Sequence, residues 1–168
     1  MALGGLATVG PAPNVLVGGA LTLYRAWAGA GLFRPVLVLG GAASLSPDAP
    51  ESKGTASFAW LTARAAVYLV QWPPGTGVVL RGGVAGDFGV LLARGHDTTS
   101  PAASSRPWAS LGAIVGLEVP LGARFALHPA LAIEAPLRRD RYAFGSTDFF
   151  EVPRAIAQGS LSVIAYFQ

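Results

Sequence analysis

Apolar and polar side chains alternate along most of this chain, and that alternation limits the folds open to it. Between Arg124 and Leu137, every second residue from Phe125 onward is apolar, whereas His128 and Glu134 lie among the residues in between. A period of two places one set of side chains on each face of a β-strand. The pattern therefore predicts strands that each have one apolar face.

The same alternation recurs along the chain and predicts eight strands. Their predicted bounds are Leu3 to Val9, Asn14 to Tyr24, Ala28 to Ala43, Thr55 to Gln71, Val78 to Arg94, Arg106 to Val119, Arg124 to Leu137 and Val152 to Phe167. The connections alternate between short turns and long loops rich in Ser, Thr, Asp, Pro and Gly. This arrangement is typical of transmembrane barrels, in which the short turns and both termini face the periplasm.

Transmembrane helices are the other structure that so apolar a chain could form. Hydrophobic residues make up 52% of the chain and charged residues 12%, and this charge content is about half that of soluble domains. The most apolar stretches, Met1 to Leu23 and Trp27 to Leu45, contain glycines and prolines, which cost about 1 and about 3 kcal/mol each in a helix interior. A chain that spans a bilayer is either helical or a closed barrel. The sequence therefore predicts an all-β, eight-stranded antiparallel up-and-down transmembrane β-barrel, as a single domain over residues 1–168.

The cost of charge in lipid predicts which way the apolar face points. An Arg or Lys facing lipid at the bilayer midplane costs about 2 to 4 kcal/mol. The reversed arrangement would expose Arg64, Asp87, Glu134 and Arg154 to lipid. We therefore expect the apolar face to point outward and polar side chains to fill the lumen. A soluble lipocalin-like barrel, with its apolar face inside, is the architectural alternative, and the low number of charges weighs against it.

Charged residues on the inward face are expected to pair, because an eight-stranded barrel is just wide enough for side chains to fill it. Register counted outward from the predicted hairpins pairs Arg64 with Asp87, Arg81 with Glu118, and Glu134 with Arg154. These six residues form the predicted lumen salt-bridge network. Its structural role is to stiffen a filled lumen. The functional alternative is a narrow ion or small-solute channel, which the lack of an obvious partner for Arg34 favours.

Aromatic residues near the strand ends are interpreted as the two interfacial girdles of a membrane barrel. Those assigned to the periplasmic end are Tyr24, Trp27, Trp72, Phe125, Tyr166 and Phe167, and those assigned to the outer end are Phe58, Trp60, Trp108, Phe149 and Phe150. The last long loop also carries Arg138, Arg139, Arg141 and Tyr142. Arginine binds phosphate in a bidentate manner. These four residues are therefore predicted to contact lipopolysaccharide phosphates or a partner surface, with interfacial anchoring and lid closure as the structural alternative.

Candidate catalytic groups are few. His128 is predicted to face inward with Glu134 about 20 Å further along the same strand, so a direct hydrogen bond between them is excluded. His96 and Asp97 lie in a long loop next to residues 98–100, where the fixed geometry of nucleophilic catalysis is not expected. We predict no enzyme activity and no cofactor. A lipid-modifying enzyme that uses His128 or His96 stays as an alternative.

Composition excludes several other classes of function. The chain has no cysteine, which excludes a zinc-thiolate site and a thiol nucleophile, and no metal site is predicted. The formal net charge of +3 is too small and too scattered for a nucleic-acid interface. Residues 1–10 lack the basic start of a signal peptide, so none is predicted there. The oligomeric state stays open.

Strands such as RFALHPALAIEAPL, the tight turn VPLG and the closing segment SLSVIAYFQ resemble small bacterial outer-membrane barrels of the eight-stranded OmpA/OmpX-like class. The resemblance covers nearly the whole chain. It implies an integral protein of the bacterial outer membrane with a structural, adhesive or envelope-stabilising role. It also implies contact with outer-membrane lipid, lipopolysaccharide and the barrel assembly machinery. In this class the machinery reads a terminal aromatic residue, and here Gln168 follows Phe167.

Overall fold

The structure is a computed structural model, and it describes residues 1–51, 54–74, 77–96, 103–144 and 147–167. Eight long strands form the wall of a barrel: β1 (Ala2–Val9), β2 (Leu16–Ala26), β3 (Phe33–Leu45), β5 (Gly54–Trp72), β6 (Val79–His96), β7 (Ala103–Pro120), β8 (Phe125–Pro136) and β11 (Ile156–Ala165). The short strands in the connections are β4 (Ala49–Glu51), β9 (Arg141–Phe144) and β10 (Thr147–Glu151). Within this part of the chain, no helix is long and apolar enough to cross a bilayer.

Antiparallel pairing closes the long strands on themselves. β3 pairs with β5 across the connection that carries β4, and β8 pairs with β11 across the connection that carries β9 and β10. β1 pairs with both β2 and β11, which joins the start of the chain to its last strand. The prediction of an eight-stranded antiparallel up-and-down barrel is confirmed. Closure pairs the backbone groups of strands that would otherwise be edges.

The two ends of the barrel differ in their connections. The chain passes from β2 to β3, from β5 to β6 and from β7 to β8 at one end, where the first and last described residues also lie. We call this the turn end. The connections after β1, β3, β6 and β8 start at the opposite end, which we call the loop end. The short connection 10–15 lies at the loop end and departs from the predicted alternation of short and long connections.

Two strands, β3 and β11, begin at least four residues later than the alternation predicted. β3 begins at Phe33 rather than Ala28, because Gly31 takes a left-handed φ of +59° and the chain turns there. β11 begins at Ile156 rather than Val152. Val152 is fully buried, because its segment crosses the mouth of the barrel before the last strand starts.

The apolar face of the barrel points outward, as predicted. Large apolar side chains stay exposed on the outer face, including those of Leu3, Leu21, Leu39, Leu61, Phe88, Leu111, Ile133, Leu161 and Val163. Polar side chains lie buried inside, including those of Thr62, Asp87, Ser110, His128, Glu134 and Gln158. A soluble barrel would have the reverse arrangement, so the lipocalin-like alternative is wrong.

Candidate functional site

A three-residue ion cluster lies in the middle of the lumen. Arg64 on β5 lies directly opposite Asp87 on β6 in the strand register. Arg64 Nε and Nη2 donate to the two Asp87 oxygens at 2.8 and 2.6 Å, and Nη2 also donates to Glu134 Oε1 on β8 at 2.8 Å. Only 14% of the Arg64 side chain and 1% of each carboxylate side chain are exposed. One guanidinium therefore links three strands inside the barrel, and we call this set the Arg64 cluster.

Glu134 is also held by side chains of β7. Ser110 Oγ donates to Glu134 Oε2 at 2.6 Å, and Trp108 Nε1 donates to Ser110 Oγ at 3.2 Å. Both oxygens of Glu134 therefore accept a hydrogen bond. Buried charges are stable only when they are paired and hydrogen-bonded. Sequence reasoning missed the roles of Ser110 and Trp108, although the period of two already placed both on the inward face.

A second ion pair lies near the turn end of the lumen. Arg81 Nε donates to Glu118 Oε2 at 2.9 Å, and the Tyr166 hydroxyl donates to Glu118 Oε1 at 2.7 Å. Burial and this bond to Glu118 raise the pKa of the Tyr166 hydroxyl. Arg34 lies at the same end, and its buried Nε has no hydrogen-bond partner among the described residues.

The predicted pairing of Glu134 with Arg154 is wrong. Ile156 is the residue of β11 that lies opposite Glu134, so Arg154 precedes the paired strand and its side chain is exposed. Arg64 takes the place expected for Arg154. The register count failed because it assumed a strand from Val152, whereas that segment belongs to the connection across the barrel mouth.

An apolar cluster fills the lumen at its loop end. The rings of Trp60 and Trp108 meet edge to face with centroids 5.5 Å apart, and those of Phe58 and Tyr142 meet in the same way at 5.4 Å. The other buried members are Ala12, Leu16, Ala56, Leu91, Val152 and Ile156. We call this set the loop-end plug.

The predicted outer girdle is wrong for three of its members. Phe58, Trp60 and Trp108 are buried in the plug rather than exposed to lipid. Their positions along the strands have the inward parity of Arg64 and Ser110, and this parity, rather than closeness to a strand end, decides where a side chain points. Phe150 packs against the plug. The side chain of the remaining member, residue 149, lies outside the described residues.

The predicted girdle at the turn end is largely present. The predicted members Trp27, Trp72, Phe125, Tyr166 and Phe167 are exposed there, and so is Phe33. Tyr24 instead has inward parity and lines a cavity inside the barrel. Exposed aromatic rings at one level of an apolar outer face are typical of a membrane interface.

The three predicted rim arginines are exposed at the loop end, and each meets a carboxylate. Arg138 pairs with Asp140 at 3.1 Å. Arg139 and Arg141 both pair with Glu151, at 2.6 and 3.2 Å. The three arginine side chains are 40 to 66% exposed, so they stay accessible to a ligand.

Tyr142 does not lie on the rim, so its predicted contact there is wrong. Its side chain is buried in the plug. Burial, together with the charge of nearby Asp140, raises the pKa of the Tyr142 hydroxyl to about 12. Neighbouring residues of a strand point to opposite faces, so Arg141 is exposed and Tyr142 is not.

A cavity of about 50 Å³ lies between the Arg64 cluster and the turn end. Its polar lining consists of Thr22, Tyr24, Arg64, Tyr68, His128, Gln158, Ser160 and Ser162. The His128 ring meets Tyr24 and Tyr68 edge to face, with centroids 6.0 and 5.7 Å apart. A space of this size holds a few water molecules. Its described lining includes no carboxylate that could orient His128 as a catalytic base.

The other candidate catalytic residues lie beyond what the structure describes. The side chain of His96 and the whole of residues 97–100 fall outside the described residues. Within the described ranges, no group of three or more His, Cys, Asp or Glu side chains could hold a metal ion.

A closed barrel with an apolar outer face, a filled lumen and its longer connections at one end has the features of small outer-membrane β-barrels. Solved structures of that class are similar to the chain over nearly its full length. Neisserial surface protein A (NspA) has a TM-score of 0.59 at 10% identity, covering 99% of this chain and 94% of that one. Ail, the attachment invasion locus protein of Yersinia pestis, has a TM-score of 0.54 at 12% identity, covering 99% and 95%.

A second structure of Ail, in complex with the heparin analogue sucrose octasulfate, has a TM-score of 0.57 at 12% identity and covers 99% of this chain and 95% of that one. At these identities the likeness shows a shared fold. A scan against protein-family models matches no family. A search of curated proteins also finds no match.

Proposed function

We propose that this chain is an integral protein of the bacterial outer membrane with a structural, adhesive or envelope-stabilising role. The filled lumen is the observation that carries the proposal. The loop-end plug and the Arg64 cluster occupy the space that a solute would need. In this proposal the barrel is a rigid support that holds the loop end outside the cell and the turn end in the periplasm.

Exposed arginines at the loop end support a binding role for that surface. Arg106 and Arg154 are exposed there and form no ion pair within the described part of the chain. Guanidinium groups bind phosphate and similar oxoanions in a bidentate manner. Ail, which has this fold, has been solved with a sulfated heparin analogue. We propose a polyanionic glycan surface, with lipopolysaccharide first, as the partner of the loop end.

Location is tested by fractionation followed by a gel-shift experiment. Cells that express the full-length gene product should yield it in the outer membrane, and the extracted protein should migrate differently with and without boiling. Insertion by the barrel assembly machinery is part of the proposal. The exposed Phe167 at the turn end is the aromatic residue available to it. Recovery as a soluble monomer would contradict the proposal.

Ligand binding is tested with charge-matched variants. Arg106→Ala/Arg154→Ala removes two exposed arginines from the loop end, and Arg25→Ala/Arg124→Ala removes two from the turn end. Retention of the detergent-folded protein on immobilised lipopolysaccharide or heparin should fall for the first variant at moderate salt and stay near wild type for the second. Equal losses in both variants would show attraction by net charge and would contradict a binding surface at the loop end.

The channel and enzyme alternatives have direct tests. We expect planar bilayers containing the wild-type protein to show no conductance steps, because the plug and the Arg64 cluster fill the lumen. Steps that disappear in an Arg64 variant would favour the narrow channel instead. We also expect His128→Ala and His96→Ala to leave lipid A unchanged. A loss of lipid A modification in either variant would favour the lipid-modifying enzyme.

A further inference from the structure

Positive charge is concentrated at the turn end of the barrel. The arginines near that end are Arg25, Arg34, Arg81 and Arg124, and Glu118 is the one carboxylate that the sequence places beside them. Together these residues carry a formal charge of +3, which equals that of the whole chain. Within the described part of the chain, the other acidic residues lie in the middle of the lumen or at the loop end.

Two of these arginines have a buried hydrogen-bond donor without a partner among the described residues. Arg34 lies where the register of β3 shifts, between Phe33 and Val36, and its Nε is buried without a partner in the described structure. Arg81 uses Nε for Glu118, whereas its Nη1 is likewise buried and unpartnered among the described residues. A buried donor left unsatisfied is costly, and more so when it is charged. Both positions therefore need an acceptor.

The strand register brings the backbones of the two arginines near each other, with one strand between them. Gln71 on β5 lies opposite Arg81 on β6. The Gln71 N–H donates to the carbonyl of Leu32, which lies two residues before Arg34 on the other side of β5. One strand therefore separates the two arginines, and their backbones are about 10 Å apart. Two arginine side chains with buried donors are long enough to reach one ligand across this span.

The described carboxylates of the lumen already have hydrogen-bond partners. Glu118 accepts from Arg81 Nε at one oxygen and from the Tyr166 hydroxyl at the other. Asp87 and Glu134 are bound to Arg64 in the middle of the barrel. Within the described residues, Arg34 therefore has no acidic side chain available to it.

We propose that the turn-end mouth of the lumen binds a small oxoanion of the phosphate class between Arg34 and Arg81. A tetrahedral oxoanion offers several acceptor oxygens and matches the geometry of guanidinium donors. It also balances the excess positive charge of this end. The site is independent of the adhesive role proposed for the loop end.

The test uses the full chain folded in a maltoside detergent, which carries no phosphate. Inorganic phosphate is titrated against chloride at constant ionic strength, and the thermal unfolding midpoint is followed by tryptophan fluorescence. We expect a saturable rise of the midpoint with phosphate. Arg34→Gln should weaken the apparent affinity about tenfold or more, because a charge-assisted hydrogen bond is lost. Arg25→Gln, at the same end but on the outer face, should change it by no more than about twofold.

Two results would overturn the proposal. If phosphate and chloride give the same midpoint in the wild-type protein, water satisfies the buried donors and there is no anion site. If Arg34→Gln and Arg25→Gln lose equal affinity, the attraction is diffuse. Heat-modifiable migration shows which variants are folded. If Arg34→Gln does not fold, the comparison of phosphate with chloride in the wild-type protein decides whether there is an anion site.

Discussion

Gly18 and Gly19 are adjacent on β2, yet the structure constrains them differently. A β-carbon added at Gly18 would lie 1.9 Å from the carbonyl oxygen of Ala43 on β3. A β-carbon at Gly19, on the outer face, would find no atom nearer than 3.7 Å. Tight curvature crowds the inner side of a small barrel, and glycine permits the close approach of neighbouring strands there.

This difference predicts the effects of two neighbouring substitutions. Gly18→Ala should destabilise the barrel by about 2 kcal/mol or more, because the backbone of β3 must shift. Gly19→Ala should be neutral or slightly stabilising, because alanine loses less conformational entropy on folding than glycine. Urea unfolding of the detergent-folded protein measures both. Similar losses for the two variants would contradict the assigned faces.

Arg64 forms ion pairs with two buried carboxylates of the lumen. Arg64→Met leaves Asp87 and Glu134 buried without a counter-charge, and removing one partner of a buried ion pair costs about 3 to 5 kcal/mol. Arg94→Met, which removes an exposed arginine at the loop end, should cost about 0.5 kcal/mol or less. Unfolding midpoints in urea compare the two variants. An equal, small loss would mean that the Arg64 cluster does not hold the strands together.

At the scale of elements, the β9–β10 hairpin covers the loop-end plug. Tyr142 packs on Phe58, and its ring lies at a tilt to that of Phe150 with centroids 6.2 Å apart. Arg139 Nε donates to the Val152 carbonyl at 3.0 Å, which ties the segment after the hairpin to the segment before it. The hairpin therefore closes the lumen with one face, and its other face is available to a ligand.

Alkaline pH is expected to loosen this hairpin. The pKa of Tyr142 is raised by burial from its ordinary value of 10.0 to about 12. The pKa is therefore higher in the folded protein than in the unfolded chain. The stabilisation by the neutral hydroxyl is complete below pH 10.0 and is lost as the pH rises through about 12. The difference in phenolate absorbance between wild type and Tyr142→Phe should titrate with a midpoint near pH 12. A midpoint near 10.0 in that difference would show that the ring is not packed in the plug.

At the scale of the whole molecule, the tryptophans report which face touches lipid. Trp27 and Trp72 are exposed at the turn end, whereas Trp60 and Trp108 are buried in the plug. In vesicles of brominated lipid, Trp27→Phe/Trp72→Phe should lose most of the fluorescence quenching, and Trp60→Phe/Trp108→Phe should keep it. The opposite result would mean that the lumen residues face lipid and that the barrel orientation is reversed.

Register could be predicted from sequence across some connections and not across others. Arg81 and Glu118 form their ion pair across the longer connection between β6 and β7. Arg64 and Asp87 are joined through the compact turn between β5 and β6, so counting outward from that turn brought them opposite each other. The long connection between β8 and β11 carries a hairpin of its own, and counting across it misplaced Arg154. A short turn transmits register to both strands, whereas a connection that carries paired strands of its own does not.

The sequence by itself determined the strand pattern, the outward apolar face and the end at which the longer loops lie. These features depend on local period and on the cost of charge in lipid, which act on each strand separately. Only the tertiary structure decided that Arg64 holds two carboxylates and that aromatic side chains close the loop end. Those features depend on which inward side chains come into contact across the lumen. Barrel closure decides these contacts, because it fixes the stagger and tilt of all the strands together.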